Sequence, residues 1–558
     1  MDRRTVLAIL LIIGVVFATP VLFPGKPRVA APPVAVPTDP AVAATGSQAV
    51  TPGQAPLSTP AIPRATAVED STAPMAQAEP PREVTIADSL SRTVLTTAGG
   101  ALRSVTLSTY EALDKSGRKV ALTSGSTPLL SYRWFSGQDT VRFSDHVLAV
   151  AEAGNQTTFR GTLGAAGPTV ELRYTPVRDS LRIRVEGSVL GAGGASAGGF
   201  LLIDLPSTFQ SFEADSNSDH TALAYAVKSG TRNAEGVPFG SLDPGERKII
   251  QGPVTWAVAK NKYFMLGLLA DSGNTQFGEA RITGGARTSR TATVAHGTVI
   301  AQLGTNGRFA FELYTGPQQY QRLLSLGRDF ENSNPYGGFM QGVVQPFATI
   351  VMRVLLWMKA TLGWGYGWLL VLFGVMVRLL MWPLNQGAMR TTIKMQRIQP
   401  ELNALQQKYK GDPAKLQTEM MRIYKEHDMS PFSAFAGCLP ILLPMPILFA
   451  LFFVFQNTIE FRGVPFLWLA DISLKDPFYI VPLLMGVSMF VLSWIGLRNS
   501  PPNPQAKMMA YVMPVMMTVL FANWASGLNL YYAVQNIAAL PQQWLIANER
   551  GKAAKAKG

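Results

Sequence analysis

The chain has 558 residues, of which 47% are hydrophobic and 15% are charged, a balance that indicates a membrane protein with a sizeable soluble part. Its net charge of +13 lies largely in loops beside apolar segments, which is typical of a membrane topology signal rather than of a nucleic-acid surface. The single cysteine, Cys438, excludes an intramolecular disulfide. The histidines lack metal-ligand spacing and no phosphate-binding loop motif is present, so the sequence predicts no metal, no ATP use and no other cofactor.

The N-terminal residues 1–24 predict a transmembrane anchor. Residues 5–23 form an uncharged apolar stretch that follows Arg3 and Arg4. A cleaved signal peptide is the alternative, but the length and the missing A-x-A cleavage pattern favour an anchor, and either would export the segment that follows. Residues 25–82 are rich in Pro, Ala, Thr and Val, a composition that cannot bury a core, so they predict a disordered linker.

Residues 83–333 predict an exported all-β sandwich. Short β-prone runs recur here between clusters of Gly, Ser, Asp and Asn, a spacing typical of that fold. The predicted strands are 93–97, 102–107, 129–135, 170–174, 181–185, 200–205, 255–269, 291–299 and 308–314, and a closing helix is predicted over 318–330. No convincing catalytic triad or carboxylate pair occurs in this segment, so the sequence does not predict an enzyme.

Residues 338–360 predict an amphipathic helix. Its polar face consists of residues that recur every four positions, Gln341, Gln345, Thr349 and Arg353, and apolar residues form the other face. A helix of this kind tends to lie in the membrane interface rather than to span the bilayer.

Five apolar segments follow, and each is long enough to cross a bilayer. They are 364–383, 436–457, 478–497, 508–524 and 526–547, which with the anchor predict six transmembrane helices. The loop 384–435 and the tail 548–558 are strongly basic, whereas the loop 458–477 holds more acidic than basic residues. The positive-inside rule therefore predicts cytoplasmic termini and a β domain on the outside.

Arg378 is the one charged residue within the six predicted spans. A charge at membrane depth costs about 2.5–3.5 kcal/mol on insertion scales, so its presence indicates a function. Gly374 and Gly367 lie four and eleven positions earlier on the same helix face, which would leave room there for water or a guest. The alternatives are that Arg378 snorkels to the interface near Trp382 and that the glycines allow close helix packing.

The last predicted span has a polar face of its own. Its members follow helical spacing and are Asn529, Tyr532, Asn536 and Gln543. We expect this face either to line a hydrated cavity opposite Arg378 or to form hydrogen bonds between helices.

The loop 384–435 predicts a basic helical hairpin with arms of similar length. Asp412 and Pro413 suit the N-cap and the first position of the second arm. The hairpin is either self-packed and solvated, or a docking arm for an anionic partner such as ribosomal RNA or lipid headgroups. The candidate docking residues are Arg390, Lys394, Arg397, Lys408, Lys410, Glu419, Met420 and Met421.

Several motifs, in order along residues 338–547, give the C-terminal part a specific resemblance to a known family. They are Arg378 with Trp382-Pro383-Leu384, Lys394-Met395 through Gln399-Pro400, Glu419-Met420-Met421 with Tyr424-Lys425, Gly437-Cys438-Leu439-Pro440, Met445-Pro446-Ile447, and Ser526-Gly527-Leu528 with Tyr531-Tyr532. This part resembles the YidC/Oxa/Alb family of membrane insertases, and the exported β domain after a first anchor resembles the family's Gram-negative form.

The resemblance implies a five-helix insertase core (363–547) around a hydrophilic groove open to the cytoplasm and to lipid, and a β-supersandwich outside. It implies that Arg378 is the groove arginine, that Tyr532 contributes to function, and that Met445 and Pro446 belong to a substrate slide. Gly374 departs from the family, because a relative carries a threonine at that place.

The implied function is to insert and help fold nascent inner-membrane proteins, alone or with the Sec translocon, in the bacterial inner membrane. The implied partners are the nascent chain, the ribosome, the signal-recognition pathway and the phospholipid bilayer. The competing interpretation is a small-solute transporter or channel with Arg378 as an anion site. That interpretation predicts inverted repeats and interrupted helices, which the sequence does not show.

Overall fold

The structure, a computed structural model, describes residues 80–164, 167–191, 194–271, 277–287, 290–304, 306–335, 341–427, 445–498 and 504–555. The predicted N-terminal anchor, most of the predicted linker and the first part of the predicted span 436–457 lie outside these ranges. The described residues form a β domain followed by a helical part.

The strands of the β domain pair in antiparallel fashion throughout. They are β1 Glu83–Ala87, β2 Ser91–Thr96, β3 Leu102–Glu111, β4 Lys119–Thr123, β5 Ser131–Phe135, β6 Thr140–Arg142, β7 Ala149–Ala153, β8 Gln156–Thr162, β9 Thr169–Pro176, β10 Arg182–Leu190, β11 Phe200–Asp204, β12 Ala224–Ser229, β13 Glu235–Pro238, β14 Arg247–Lys260, β15 Phe264–Ala270, β16 Phe277–Gly284, β17 Ala295–Gln302 and β18 Arg308–Pro317. The first four form a small sheet. The others follow one long path, β6-β5-β11-β17-β16-β14-β15-β18-β10-β9-β8-β7, with β12 and β13 added beside β14.

Strand β14 changes its pairing partners along its length. Residues 247–251 pair with β16, whereas residues 256–260 pair with β15 on one side and β12 on the other. The register shifts after Gln251, and a bulged strand of this kind lets a sheet turn a corner. The second half of β14 and nearly all of β15 are buried, with Trp256 fully enclosed, so the core of the domain lies around them.

The predicted strand 255–269 is wrong in one respect, because a turn divides it into β14 and β15. Asn261 makes this turn, since its side-chain oxygen accepts hydrogen bonds from the backbone N–H groups of Tyr263 (3.1 Å) and Phe264 (2.8 Å). Both strands are buried, so the sequence presents one apolar run across the turn. Every other predicted strand overlaps an observed one, but the sequence pattern misses β1, β4, β6, β7, β8, β12, β13 and β16.

The described residues contain the following helices, numbered in chain order. They are α1 Ser216–Thr221, α2 Tyr320–Ser325, α3 Gln341–Leu362, α4 Tyr366–Lys408, α5 Pro413–Glu426, α6 Met445–Asn457, α7 Ile480–Leu497, α8 Pro504–Phe521 and α9 Ser526–Lys555. In this described part, the segments long and apolar enough to cross a membrane are Gln341–Leu362, Tyr366–Pro383 and Ile480–Leu497. Helix α9 packs against α7 and α4, α8 packs against α7, and α3 packs against α6 and α4.

The closing helix of the β domain is shorter than the predicted 318–330. Helix α2 ends at Ser325, and Gly327, Arg328 and Asp329 then have positive φ angles of 66°, 58° and 55°. A left-handed backbone cannot continue an α-helix, so a separate 3-10 turn at Phe330–Ser333 completes the domain.

Helix α3 has two apolar faces where the sequence predicts one. The face buried in the helical core consists of Val344, Ala348, Val351, Met352, Leu355 and Met358. The exposed apolar face consists of Val343, Phe347, Ile350 and Trp357.

The predicted polar face of α3 contacts the β domain. The side-chain amide nitrogen of Gln341 donates to the Ala234 carbonyl at 3.1 Å. Arg353 Nε donates to the Tyr320 hydroxyl at 3.1 Å. The polar residues of this helix therefore form hydrogen bonds with the β domain. The exposed apolar face is the one that can contact lipid.

Helix α4 continues from the predicted span into the predicted hairpin. It runs unbroken through Pro383 for 43 residues, so the boundary predicted at residue 383 does not interrupt the helix. Asp412 caps α5 as predicted, because its carboxylate accepts a hydrogen bond from the Lys415 N–H at 3.1 Å. Helix α5 has 14 residues and is shorter than the predicted second arm.

Helix α9 begins at Ser526 and runs beyond the predicted boundary at residue 547. Its first N–H groups are satisfied from outside the helix. The N–H of Ser526 donates to the Leu474 carbonyl at 2.7 Å, and the N–H of Gly527 donates to the Ile472 carbonyl at 2.9 Å. The loop before α7 thus fixes the start of the last helix.

Candidate functional site

Arg378 lies on α4 and contacts α9. Its Nη2 donates to the side-chain oxygen of Gln542 at 2.6 Å. Gln542 is only 2% exposed, and its amide nitrogen donates back to the Trp382 carbonyl at 3.2 Å. The two bonds fix the amide orientation and hold the arginine against the last helix.

The guanidinium of Arg378 is only partly satisfied. Its Nε is buried and has no hydrogen-bond partner among the described residues. No carboxylate in the described part of the chain contributes charge near it. Because a guanidinium carries five N–H donors, this cation retains the capacity to bind water or a polar guest.

Gln542 is a site residue that the sequence reasoning missed. The last helix carries two polar stripes with seven-residue spacing, and the predicted face used only one of them. Gln535 and Gln542 form the stripe that includes the Arg378 contact. The amide of Gln543, one position further, lies beside Gly496 of α7. Residues seven positions apart lie on one face of a helix, so the sequence is consistent with either stripe facing Arg378. Only the packing of the helices shows that the stripe with Gln542 does.

Asn529 and Asn536 make the interhelical hydrogen bonds that were the alternative to a cavity wall. The amide nitrogen of Asn529 donates to the Phe521 carbonyl at the end of α8, at 2.9 Å. The amide nitrogen of Asn536 lies 3.4 Å from the Met485 carbonyl and 3.3 Å from Ser488 Oγ, both on α7. These bonds agree with the interhelical alternative, and Gln542 rather than either asparagine makes the hydrogen bond with Arg378.

Tyr532 packs between aromatic rings. Its ring is parallel to that of Phe521, with centroids 5.8 Å apart, and meets Tyr531 edge-on at 5.3 Å. Its hydroxyl is buried and has no hydrogen-bond partner among the described residues. A buried hydroxyl without a partner is uncommon in proteins, so Tyr532 is kept as a candidate site residue.

The glycines before Arg378 allow close packing and do not leave open space. A Cβ at Gly374 would lie 3.1 Å from Val534 Cγ1 on α9, and a Cβ at Gly367 would overlap the Phe466 ring. The expected room for a guest at these two positions is thus wrong. A larger side chain at 374 would therefore press on Val534, and the glycine lets α4 and α9 approach closely here.

The remaining candidate residues lie on the predicted elements. Met445 and Pro446 begin α6, and Arg390, Lys394 and Arg397 lie on α4, with side chains outside the described part of the structure. Lys408 and Lys410 lie at the turn of the hairpin, and Glu419, Met420 and Met421 lie on α5.

The hairpin is partly self-packed. Ile398, Leu402 and Tyr424 form a small buried cluster to which Met420 contributes. Met421 is exposed, so it is the methionine of this pair that remains available to a partner. The self-packed interpretation therefore applies to Met420.

Together, the β domain and the bundle around a partly satisfied arginine define a membrane protein with a large domain outside the bilayer. The family model described as 60Kd inner membrane protein matches residues 357–553, and the model described as YidC periplasmic domain matches residues 83–350. The chain belongs to the YidC family, which confirms the predicted resemblance.

Several relatives named Membrane protein insertase YidC align over most of the chain. One from Geobacter sp. (strain M21) is 30% identical over 478 residues, which is 83% of this chain and 85% of the relative. One from Citrifermentans bemidjiense is 29% identical over 567 residues, covering 98% and 99%. One from Anaeromyxobacter sp. (strain Fw109-5) is 28% identical over 469 residues, covering 80% and 81%.

Solved structures give weaker likenesses. An active YidC insertase with its first transmembrane domain resolved aligns at 17% identity and a TM-score of 0.33 over 83% of this chain and 92% of that chain. A galactose mutarotase-like protein from Lactobacillus casei ATCC 334 aligns at 12% identity and a TM-score of 0.30 over 42% of this chain and 100% of that chain. Scores this low support no conclusion about activity.

Proposed function

We propose that this chain inserts nascent membrane proteins into the bilayer along a partly polar path beside Arg378, without enzymatic chemistry or a cofactor. Its relatives are named membrane protein insertases, and they align with most of its length. The observation that supports the mechanism is that the guanidinium of Arg378 makes one described hydrogen bond, to Gln542, and therefore has further N–H donors available to water or substrate. The solute transporter has no support in the comparisons and is set aside.

The physical problem for an insertase is the polar flank of its substrate. An apolar helix gains about 0.3–0.6 kcal/mol per Leu-like residue on reaching the bilayer centre. Its flank must cross about 30 Å of hydrocarbon. Arg378 lies about 18 Å along the helix axis from Tyr366, where α4 begins. A path that reaches Arg378 from the cytoplasmic side would shorten the apolar crossing.

Arg378 would attract an acidic or polar flank and keep water beside it. The Nη2 bond to Gln542 would hold the guanidinium in place while its other donors meet the substrate. The membrane potential would then draw a negative flank outward, at about 2.3 kcal/mol per charge per 100 mV. The substrate helix would leave along α6 and α8, with Met445 and Pro446 at the start of α6.

The proposed topology has six spans in the bacterial inner membrane, with both termini cytoplasmic. It comprises an anchor (1–24), a linker (25–82), the periplasmic domain (83–333), the helix 338–360, the core (363–547) and a basic tail (548–558). The basic loops support it, and so do the helical segments Tyr366–Pro383 and Ile480–Leu497, which are long and apolar enough to be two of the six spans. Aromatic side chains also support it, because exposed Trp364 and Trp368 lie near one end of the predicted span 364–383 and Trp382 lies near its other end.

The hairpin of α4 and α5 is proposed to dock partners. Ribosomal RNA and lipid headgroups offer anionic surface to a basic arm. The signal-recognition pathway and the Sec translocon are further proposed partners, which the family resemblance implies. Exposed cations support this role, since Lys410 is exposed and the side chain of Lys415 is 73% exposed. The exposed Met421 would add an adaptable apolar contact.

The decisive experiment changes Arg378 in protein reconstituted into vesicles. A substrate with one span and an acidic translocated flank is synthesised in their presence, and protease protection gives the inserted fraction. We expect Arg378→Ala to slow insertion about tenfold, which corresponds to about 1.4 kcal/mol of barrier. Arg378→Lys keeps the charge but loses the planar fork, so we expect an intermediate rate.

Gln543→Ala is the matched control, because Gln543 is on the same helix but lies beside α7. We expect its insertion rate to equal that of the unmodified protein. Full activity of a folded Arg378→Ala protein would contradict the proposed attraction for that substrate.

A further inference from the structure

The loop between α6 and α7 enters the β domain. It does so through the 3-10 turn Ile459–Phe461 and the following Arg462, which we call the plug (residues 459–462). Ile459 is 6% exposed and belongs to the hydrophobic core of the β sandwich. A side chain from the helical part therefore completes the core of the domain outside the membrane.

Arg462 locks the plug to the β domain. Its Nε lies 2.9 Å from each carboxylate oxygen of Glu213, and its Nη2 donates to the Glu111 carbonyl at 2.8 Å. The guanidinium also lies over the Phe264 ring, 5.4 Å from the centroid. Both side chains of the ion pair are 6% exposed. Loss of the carboxylate would leave a buried guanidinium without its acceptor, which is strongly unfavourable.

Glu460 supplies a second connection. Its Oε1 accepts a hydrogen bond from the Tyr320 N–H at 3.1 Å, at the start of α2. The Tyr320 ring packs on the hydrophobic core of the helical part, and its hydroxyl accepts from Arg353 of α3. Each domain thus contributes a residue to the core of the other.

Phe461 points the opposite way, into the helical bundle. It is 1% exposed, stacks on Phe455 with centroids 4.9 Å apart, and meets Tyr366 edge-on at 5.2 Å. Phe466, from the same loop, covers Gly367 of α4. These rings form an aromatic layer across the ends of α4 and α6 on the side of the β domain.

We propose that the plug is a rigid joint through which the β domain holds this aromatic layer closed. The segment is four residues long. Ile459, Glu460 and Arg462 contact the β domain, whereas Phe461 packs in the helical core, so neither part can shift without moving the other. A packed aromatic layer excludes water from that end of the bundle. The β domain would thereby keep the path beside Arg378 from opening on the outer side. This role goes beyond insertion itself and does not depend on Arg378 binding substrate.

Hydrogen exchange measured by mass spectrometry on the full chain in lipid nanodiscs tests the proposal. We expect slow exchange in peptides covering residues 458–466 and 366–372. Glu213→Ala, a change in the β domain, should speed exchange at least tenfold in both peptides. Glu213→Gln keeps an oxygen acceptor for Arg462 and should preserve slow exchange. Glu171→Ala breaks an ion pair with Arg160 on β8 and serves as the control that should change neither peptide.

Arg462→Met provides an independent variant should Glu213→Ala fail to fold, because it keeps an apolar stem but cannot donate. It should speed exchange in the same two peptides. The double change Glu213→Ala with Arg462→Met should have no larger effect than the stronger single change, because both break one joint. Exchange at 366–372 that stays slow in every folded variant, or effects that multiply in the double variant, would overturn the proposal.

Discussion

The joint between the domains should respond to pH through Glu213. Burial raises the pKa of the Glu213 carboxyl from 4.5 to about 7, although the attraction of Arg462 opposes the shift. Asp219 raises this pKa further and Lys262 lowers it, so the charges facing Glu213 come from the β domain as well as from the plug. Withdrawal of the plug would hydrate Glu213 and return its pKa towards 4.5.

The sign follows from proton linkage. The docked state binds the Glu213 proton more tightly than the undocked state, so this contribution favours docking below pH 4.5 and is lost as the pH rises through about 7. Between pH 8 and pH 5.5 the free energy of docking changes by about 2 kcal/mol. The two states differ in bound protons mainly over the roughly 1.5 pH units from about 7 to 5.5, and each unit is worth 1.36 kcal/mol. The plug should therefore be docked more firmly in mildly acidic medium.

Hydrogen exchange protection factors for residues 458–466, corrected for the intrinsic exchange rate at each pH, measure this effect. We expect protection to fall about 30-fold between pH 5.5 and pH 8 in the unmodified chain. Glu213→Gln cannot titrate and should show nearly constant protection. The difference between the two proteins isolates Glu213 from the other groups that titrate in this range. Equal pH profiles would refute the assignment of the effect to Glu213.

Two further predictions concern packing. Gly367→Ala should lower stability by about 1–3 kcal/mol, because its methyl group would overlap the Phe466 ring. The control is Gly342→Ala, because Gly342 is also in a helix but has no neighbouring atoms that a methyl group would meet, so this change should raise stability by about 0.4–1 kcal/mol. Thermal unfolding of both variants in detergent measures the two effects. An unchanged stability of Gly367→Ala would contradict the close contact between Gly367 and Phe466. Asn261→Ala should destabilise the β domain by about 1–3 kcal/mol, because it leaves two buried N–H groups unpaired. Asn155→Ala, at an exposed site, is the control in urea unfolding, and equal effects of the two changes would exclude the turn as the cause.

Local sequence signals determined much of the architecture. Apolar segments of span length, the alternation of short β-prone runs and the Asp412 cap depend on chemistry within a few residues, and those that fall within the described residues correspond to observed helices and strands. Arg378 stands out for the same reason, because a charge within an apolar helix is visible without knowledge of its neighbours. The motifs around it sufficed to identify the family.

Only the tertiary structure showed which face of each helix packs against which neighbour and which side chains contact each other. Helical spacing gave the last helix two polar stripes, and only packing turned Gln542 towards Arg378 and Asn536 towards α7. Where both faces of a strand are buried, the sequence is apolar throughout and shows no alternation that marks the end of the strand. The sequence therefore did not predict the turn at Asn261.

The joint shows the same limit at long range. Glu213 and Arg462 are 249 residues apart. No sequence motif around either residue predicts that the two side chains form an ion pair. The sequence by itself determined where the longer apolar helices form and that Arg378 lies within one of them, because those depend on local composition and period. The tertiary structure alone decided what that charge touches and how the two domains are held, because contacts between distant residues depend on how whole elements pack.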